Sequence, residues 1–189
     1  MDFDRERFVA DCISANSERA GQAAVQEVLQ RALAKPNAVL AALGEPRQAG
    51  LDVLHRSTDL TIFAAKWAPQ MNLPAHDHRM WALIGIYTGR EDNILWQRGA
   101  QGIEARTARV LFAGDVAALA ADAIHSVTNP LPRFTGGIHI YGGDFFATPR
   151  SQWDSESLAE QHSDGAVIQA LFERENARLR ATGCPPPQG

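Results

Sequence analysis

The 189-residue chain is poor in cysteine: it has two, Cys12 and Cys184, 172 positions apart. They form neither a metal motif nor a disulfide framework, so reduced thiols in a cytoplasmic protein are the expectation. A basic surplus is also missing. Eighteen Lys and Arg against 22 Asp and Glu give a formal net charge of −4, which argues against nucleic acid and anionic membrane as partners. No apolar run approaches the roughly 20 residues that span a bilayer. The opening MDFDRERF is charged, unlike a secretory leader. Internal repeats and low-complexity tracts are absent. With 45% hydrophobic and 21% charged residues, disorder, collagen and coiled coil are excluded. What is left is an ordinary composition, at a length that allows a single domain with a full core.

The chain changes character twice. Up to about residue 46 it has helical periodicity: Phe8, Val9, Cys12 and Ile13, then Val25, Val28, Leu29, Ala32 and Leu33. Ser17 suits the N-cap of the second helix, and Pro36 and Gly44 bracket a short third. From 47 to 148 short apolar or alternating runs predict strands near 51–55, 60–67, 73–78, 81–88, 92–98, 103–111, 115–119, 123–128 and 134–141. Turn signals separate them, among them Thr88-Gly89, Gly99 to Gly102, Ala113-Gly114-Asp115 and Asn129-Pro130. Many short strands at regular spacing mean a sandwich or barrel. From 149 to 189 the pattern returns to helix. Val167, Ile168, Leu171, Phe172 and Leu179 share a face, Asp164 suits the N-cap, and Gly183 and Pro185 the end.

Of the six histidines, His76 and His78 are two apart at the end of a strand, so both project from one face while Asp77 projects from the other. Two imidazoles on one face can hold one ion. His125, after the Gly114-Asp115 turn, supplies a third. Gly114, His125 and Asn129 keep the spacing Gly, eleven positions to His, four to Asn. Together these residues resemble the two motifs of the cupin superfamily. The Glu of the first cupin motif is missing, its place taken by Ala82 or Leu83, while Gly89 is present. Three neutral imidazoles leave a divalent metal with its full charge and open positions, which suits an anionic, chelating substrate.

The missing Glu resembles the thiol dioxygenases, cysteine dioxygenase and 3-mercaptopropionate dioxygenase. Trp67, nine residues before His76, and the His-Asp-His run are similar to theirs. Ile138-His139-Ile140-Tyr141 resembles their Ser-x-His-x-Tyr motif, with Gly137 in place of the Ser. The likeness covers about residues 51 to 146. It implies a mainly β fold, the cupin double-stranded β-helix (a jelly-roll-like barrel), with N-terminal helices and a C-terminal helix packed outside. It further implies a mononuclear non-haem Fe(II) enzyme that adds O2 to a small thiol to give a sulfinate, with His76, His78 and His125 on the metal. Zn or Ni could occupy the same imidazoles in a purified sample. In this likeness Tyr141 reaches into the site and His139 holds it.

A carboxylate on the substrate calls for a fixed Arg. Arg56, in Leu54-His55-Arg56, stands where the cysteine-oxidising family has Tyr-x-Arg; Arg98 and Lys66 are rivals. Trp81, just after the ligand pair, either walls the substrate pocket or packs in the core. Glu91-Asp92, directly after a turn, is expected at a solvated strand edge. His55 and His162 are expected at the surface. Two other functions share the metal residues: a three-His ferrous cupin that cleaves a carbon–carbon bond of a diketone-like chelator, and a non-enzymatic cupin that binds a metal or small molecule.

Overall fold

Turn chemistry and two-residue alternation cut the middle of the chain into strands, and glycine sets their corners. Gly89 has φ +83° and Gly114 φ +97°, left-handed values that place each reversal where a side chain would be strained. The computed structural model describes residues 2–100 and 102–182. Three helices lead: α1 (Arg5–Asn16), α2 (Gly21–Leu33) and α3 (Pro36–Leu43). Nine strands follow: β1 (Gly50–Arg56), β2 (Thr61–Trp67), β3 (Asn72–Asp77), β4 (Ala82–Thr88), β5 (Arg90–Gly99), β6 (Gly102–Phe112), β7 (Val116–Leu119), β8 (Ile124–Thr128) and β9 (Thr135–Tyr141). The chain then adds β10 (Arg150–Trp153), β11 (Glu160–Ser163) and the helix α4 (Gly165–Ala181).

The strands form two antiparallel sheets, in the orders β1-β2-β9-β4-β7 and β11-β10-β3-β8-β5-β6. Without the added edges, β2 to β9 pair as β2-β9-β4-β7 opposite β3-β8-β5-β6. Successive strands cross from one sheet to the other except at the β5–β6 hairpin. That strand order is the eight-stranded jelly roll, the double-stranded β-helix expected from the sequence.

The first sheet is covered on both sides. Phe63, Trp67, Ile84 and Tyr141 face the second sheet, whereas Ile62, Ala64, Leu83, Ile138 and Ile140 face the N-terminal helices. Strands β2, β4 and β9 therefore read as nearly continuous apolar runs rather than alternating ones. Val25, Val28, Leu29 and Leu33 are the buried stripe of α2. Each buried Leu stabilises the fold by roughly 1.5–3 kcal/mol. On the opposite side α4 docks by Phe172, which stacks on Trp67 with ring centroids 5.6 Å apart. Asn176 seals that contact by donating to and accepting from the backbone of Ala49 at 2.9 Å each way.

Two expectations are corrected. Ser17 caps the C-terminus of α1, its hydroxyl donating to the Ser14 carbonyl at 2.6 Å, and α2 starts without a side-chain cap. The segment after 149 is not helical throughout: β10 and β11 extend the second sheet before α4 begins. Asp164 caps α4 as expected. Its expected stop at Gly183 and Pro185 lies outside the described residues, as do Cys184 and Gln101 of the Gly99–Gly102 turn.

Cys12 is fully buried in the helical layer, and burial pushes its thiol up to about 12. At pH 8 it is almost wholly protonated and inert. Iodoacetamide is expected to alkylate Cys12 only after denaturation, as mapped by peptide mass spectrometry. Alkylation in the native state would show that this layer opens readily. The raised pKa also means that its contribution to stability is whole below pH 9 and is lost as pH rises from 9 towards 12.

Candidate metal centre

Register, rather than sequence proximity, assembles the histidines. β3 pairs with β8 so that His76 lies directly opposite His125, and His78 follows the end of β3. The three rings face each other with centroids 4.5–5.0 Å apart, and one ligand atom from each lies within 4.8 Å of the others. Among the described residues this is the one His, Cys, Asp or Glu cluster able to hold a metal ion.

The hydrogen bonds fix which nitrogens face inward. His76 Nδ1 donates to the Pro74 carbonyl at 3.0 Å, and His125 Nδ1 donates to Asn93 Oδ1 at 2.7 Å. Both rings thus keep Nε2 as a lone pair. His125 Nε2 lies 3.2 Å from His78 Nε2. Two lone pairs that close in a dry pocket repel unless a proton or a cation sits between them. Metal–nitrogen bonds of roughly 2.0–2.1 Å at 90–109° would space two nitrogens by roughly 2.9–3.4 Å, so the pair fits a shared ion. Among the described residues, buried His78 Nδ1 has no hydrogen-bond partner. Burial lowers His76 to about 4, with the Pro74 hydrogen bond opposing, and drives His78 and His125 well below the usual histidine range. All three imidazoles are neutral at pH 7, the form that binds metal.

Tyr141 and His139 come from β9 in the opposite sheet and line the same cavity. Tyr141's ring lies 4.9 Å from that of His78, and its hydroxyl is 3.2 Å from His139 Nδ1. Burial pushes the phenol pKa upward, so it remains a hydrogen-bond donor. The cavity itself is small, about 20 Å³, and is closed by Phe145 and by Ile168 and Phe172 of α4. Beside it, a groove of about 380 Å³ opens to the surface and shares His76 with it.

The remaining expected site residues lie elsewhere. Arg56 is half-exposed and forms a two-pronged pair with Asp144 at 2.9 and 3.0 Å, over the Phe146 ring. Its rivals are also paired outside the cavity, Lys66 with Asp52 and Arg98 with Glu160. Trp81 packs on the helical side of the first sheet rather than against the histidines. Asp77 turns away as expected, bonding Arg79 and the Ser151 amide. His162 is exposed, while His55 is half-buried. Asn129 fits its motif as a clamp on the loop, donating to three carbonyls, those of Trp67, Ala68 and Arg133.

Three residues of the site are not evident from the sequence reading. Glu91, expected at a solvated edge, is fully buried. Asn93 holds His125. Arg150, 3% exposed, stacks over Phe145 at 3.9 Å and bonds the Phe145 carbonyl, and its Nε and Nη2 have no partners among the described residues. Its charge disfavours protonation of His76 and His78. Glu91 and Asn93 have a legible signal: with Leu95 they form an inward-facing i, i+2, i+4 series on β5.

No family model matches the chain. Among solved structures, a Bacillus halodurans protein is similar at 15% identity and a TM-score of 0.48, over 65% of this chain and 84% of its own. An RmlC-like cupin family protein with a double-stranded β-helix fold from Methanocaldococcus jannaschii gives 10% and 0.44, over 52% and 84%. An oxalate oxidase in complex with glycolate gives 14% and 0.42, over 52% of each chain. The fold assignment rests on the strand order of the two sheets.

Proposed function

We propose that this double-stranded β-helix is a non-haem iron dioxygenase for a small thiol carrying a carboxylate, with Fe(II) held by His76, His78 and His125. The observation that supports this most is the charge of the site. Three neutral imidazoles lie together, and the buried Arg150 guanidinium, stacked on Phe145 of the cavity wall, is close enough to disfavour protonation of His76 and His78, a setting for an anion. A ferrous ion bound there supplies the activation of dioxygen. The overall change, RS⁻ + O2 → RSO2⁻, oxidises sulfur, reduces dioxygen and leaves both oxygen atoms on sulfur.

The chain's own residues have definable parts in this. Arg150 Nε and Nη2 offer the fork that a carboxylate accepts in two parallel bonds. Tyr141 presents a protonated hydroxyl to the cavity, and His139 Nδ1 holds its position. Phe145, Ile168 and Phe172 give the cavity an apolar wall. The deciding experiment loads the full chain anaerobically with Fe(II). Oxygen uptake and sulfinate are then measured with 3-mercaptopropionate, cysteine, cysteamine and a β-diketone. Sulfinate formed one-to-one with oxygen consumed supports the proposal. Uptake with the diketone alone transfers the site to carbon–carbon cleavage, and no uptake with any of them leaves a binding protein.

The substrate class has its own test. A hydrogen bond to a charged group is worth roughly 1.5–3 kcal/mol, so Arg150→Gln is expected to raise KM for the mercapto-acid about 10- to 100-fold. Cysteamine, which lacks the carboxylate, should be little affected. Should Arg56→Ala show that selective rise instead, the clamp is Arg56. An equal rise for both thiols in the Arg150 variant would mean general damage to the site.

A further inference from the structure

Glu91 is a buried carboxylate with contacts on two sides. Its Oε2 accepts the Trp67 indole N–H at 2.6 Å, and its Oε1 accepts Asn93 Nδ2 at 2.9 Å. Each oxygen leads to a different half of the site. From Oε1 the path runs through Asn93, whose Oδ1 holds His125 Nδ1–H. From Oε2 it runs to His139 Nε2 at 3.4 Å, and from His139 Nδ1 to the Tyr141 hydroxyl. The His139–Glu91 contact is close but not aligned as a hydrogen bond.

Charge gives the arrangement its sense. A dication on three neutral ligands, close to buried Arg150, calls for an anion. Asp77, the other buried carboxylate near the cluster, is already matched by Arg79. Glu91 stays ionised: burial raises its pKa, but the contacts from His139, Asn93 and Trp67 outweigh this and hold it below the usual range. Gly137 leaves room for the His139 ring, since a Cβ there would lie 3.3 Å from His139 Nε2.

We propose that Glu91 is a positioning residue for both halves of the site: through Asn93 it holds His125 with Nε2 towards the metal, and through His139 it holds the Tyr141 hydroxyl. Metal affinity and tyrosine orientation are thereby coupled through one carboxylate. The inference rests on the metal reading of the three histidines and is independent of the thiol chemistry.

The test uses the full chain and two readouts that need no turnover. The first is Co(II) affinity by chelator competition. The second is the NMR signal of [13Cζ]-tyrosine, which reports hydrogen bonding of the phenol; with only Tyr87 and Tyr141 in the chain, two signals are expected. Loss of an outer-shell partner of a metal ligand typically costs 10- to 100-fold in affinity, and Glu91→Gln is expected to weaken Co(II) by about that much. It should also move the Tyr141 signal. Asn93→Ala should weaken Co(II) and leave the tyrosine signal in place, and His139→Gln should do the reverse. A folded Glu91→Gln chain with either readout unchanged overturns the proposal. Where that variant fails to fold, the two branch variants decide, and either one moving neither readout overturns it. If the unaltered chain binds no Co(II), the metal reading falls and this inference with it; normal binding there with a silent Glu91→Gln rejects the inference alone.

Discussion

A His125→Ala chain is expected to lose stoichiometric metal binding while keeping its fold. The variant retains two ligands, and the one removed is the ring whose Nε2 sits 3.2 Å from that of His78. Its loss should exceed the roughly 10- to 100-fold typical of an outer-shell partner, because a coordinating atom itself is gone. Metal content per chain and circular dichroism measure the two halves of the claim. Thermal shift gives an independent reading, since a ligand present at about 1,000 times its Kd stabilises the native state by roughly 4.1 kcal/mol. Co(II) should therefore raise the Tm of the parent chain and leave that of His125→Ala unmoved. His162→Ala, at an exposed ring paired with Asp164, should behave like the parent. Full metal occupancy in His125→Ala would end the three-histidine assignment.

Tyr141→Phe is expected to slow thiol turnover by about 10²–10⁴-fold, the usual scale for a positioned acid–base group, at undiminished metal content. The substitution is narrow by design. The ring packs against Tyr141's neighbours Phe145, Phe63 and His78 with centroids 4.4, 5.2 and 4.9 Å away, and phenylalanine preserves all of those contacts. Only the hydroxyl at His139 Nδ1 is lost. The effect should therefore appear in kcat rather than in KM. A Phe variant as fast as the parent would make Tyr141 and His139 a packed core pair without a part in the reaction.

Local rules carried much of this structure. All nine strands between β1 and β9 were legible because turn residues punctuate them, and the i, i+2 spacing put His76 and His78 on one face. Legibility fails where partners come from far along the chain. β10 and β11 have no apolar alternation of their own; they are strands because β10 finds the edge of β3, with Gln152 opposite His76. That pairing is also what carries Arg150 into the interior, and no nearby residue announces it. Glu91 misleads for the opposite reason: the Gly89 turn beside it suggests solvent, although strand periodicity turns 91 and 93 inward together. The likeness puts Arg56 at a carboxylate clamp, but Asp144, 88 residues away, engages it at the surface.

The helix α4 supplies Ile168 and Phe172 to the inner cavity, and Ile168 with Leu171 to the outer groove. One element thus walls both the chamber and its approach. The chamber, at about 20 Å³, has room for about one water, so anything larger must displace these side chains. Occupancy of the site and docking of α4 are then two sides of one equilibrium, and linkage makes their effects reciprocal. A ligand that seats with the helix closed over it slows amide exchange along 165–181. For a ligand that seats with the helix closed, loosening the helix, for example by breaking the Asn176–Ala49 bonds, weakens binding; for one that holds the side chains displaced it does the reverse. The size of the chamber is in this sense set by a helix that carries none of the three histidines.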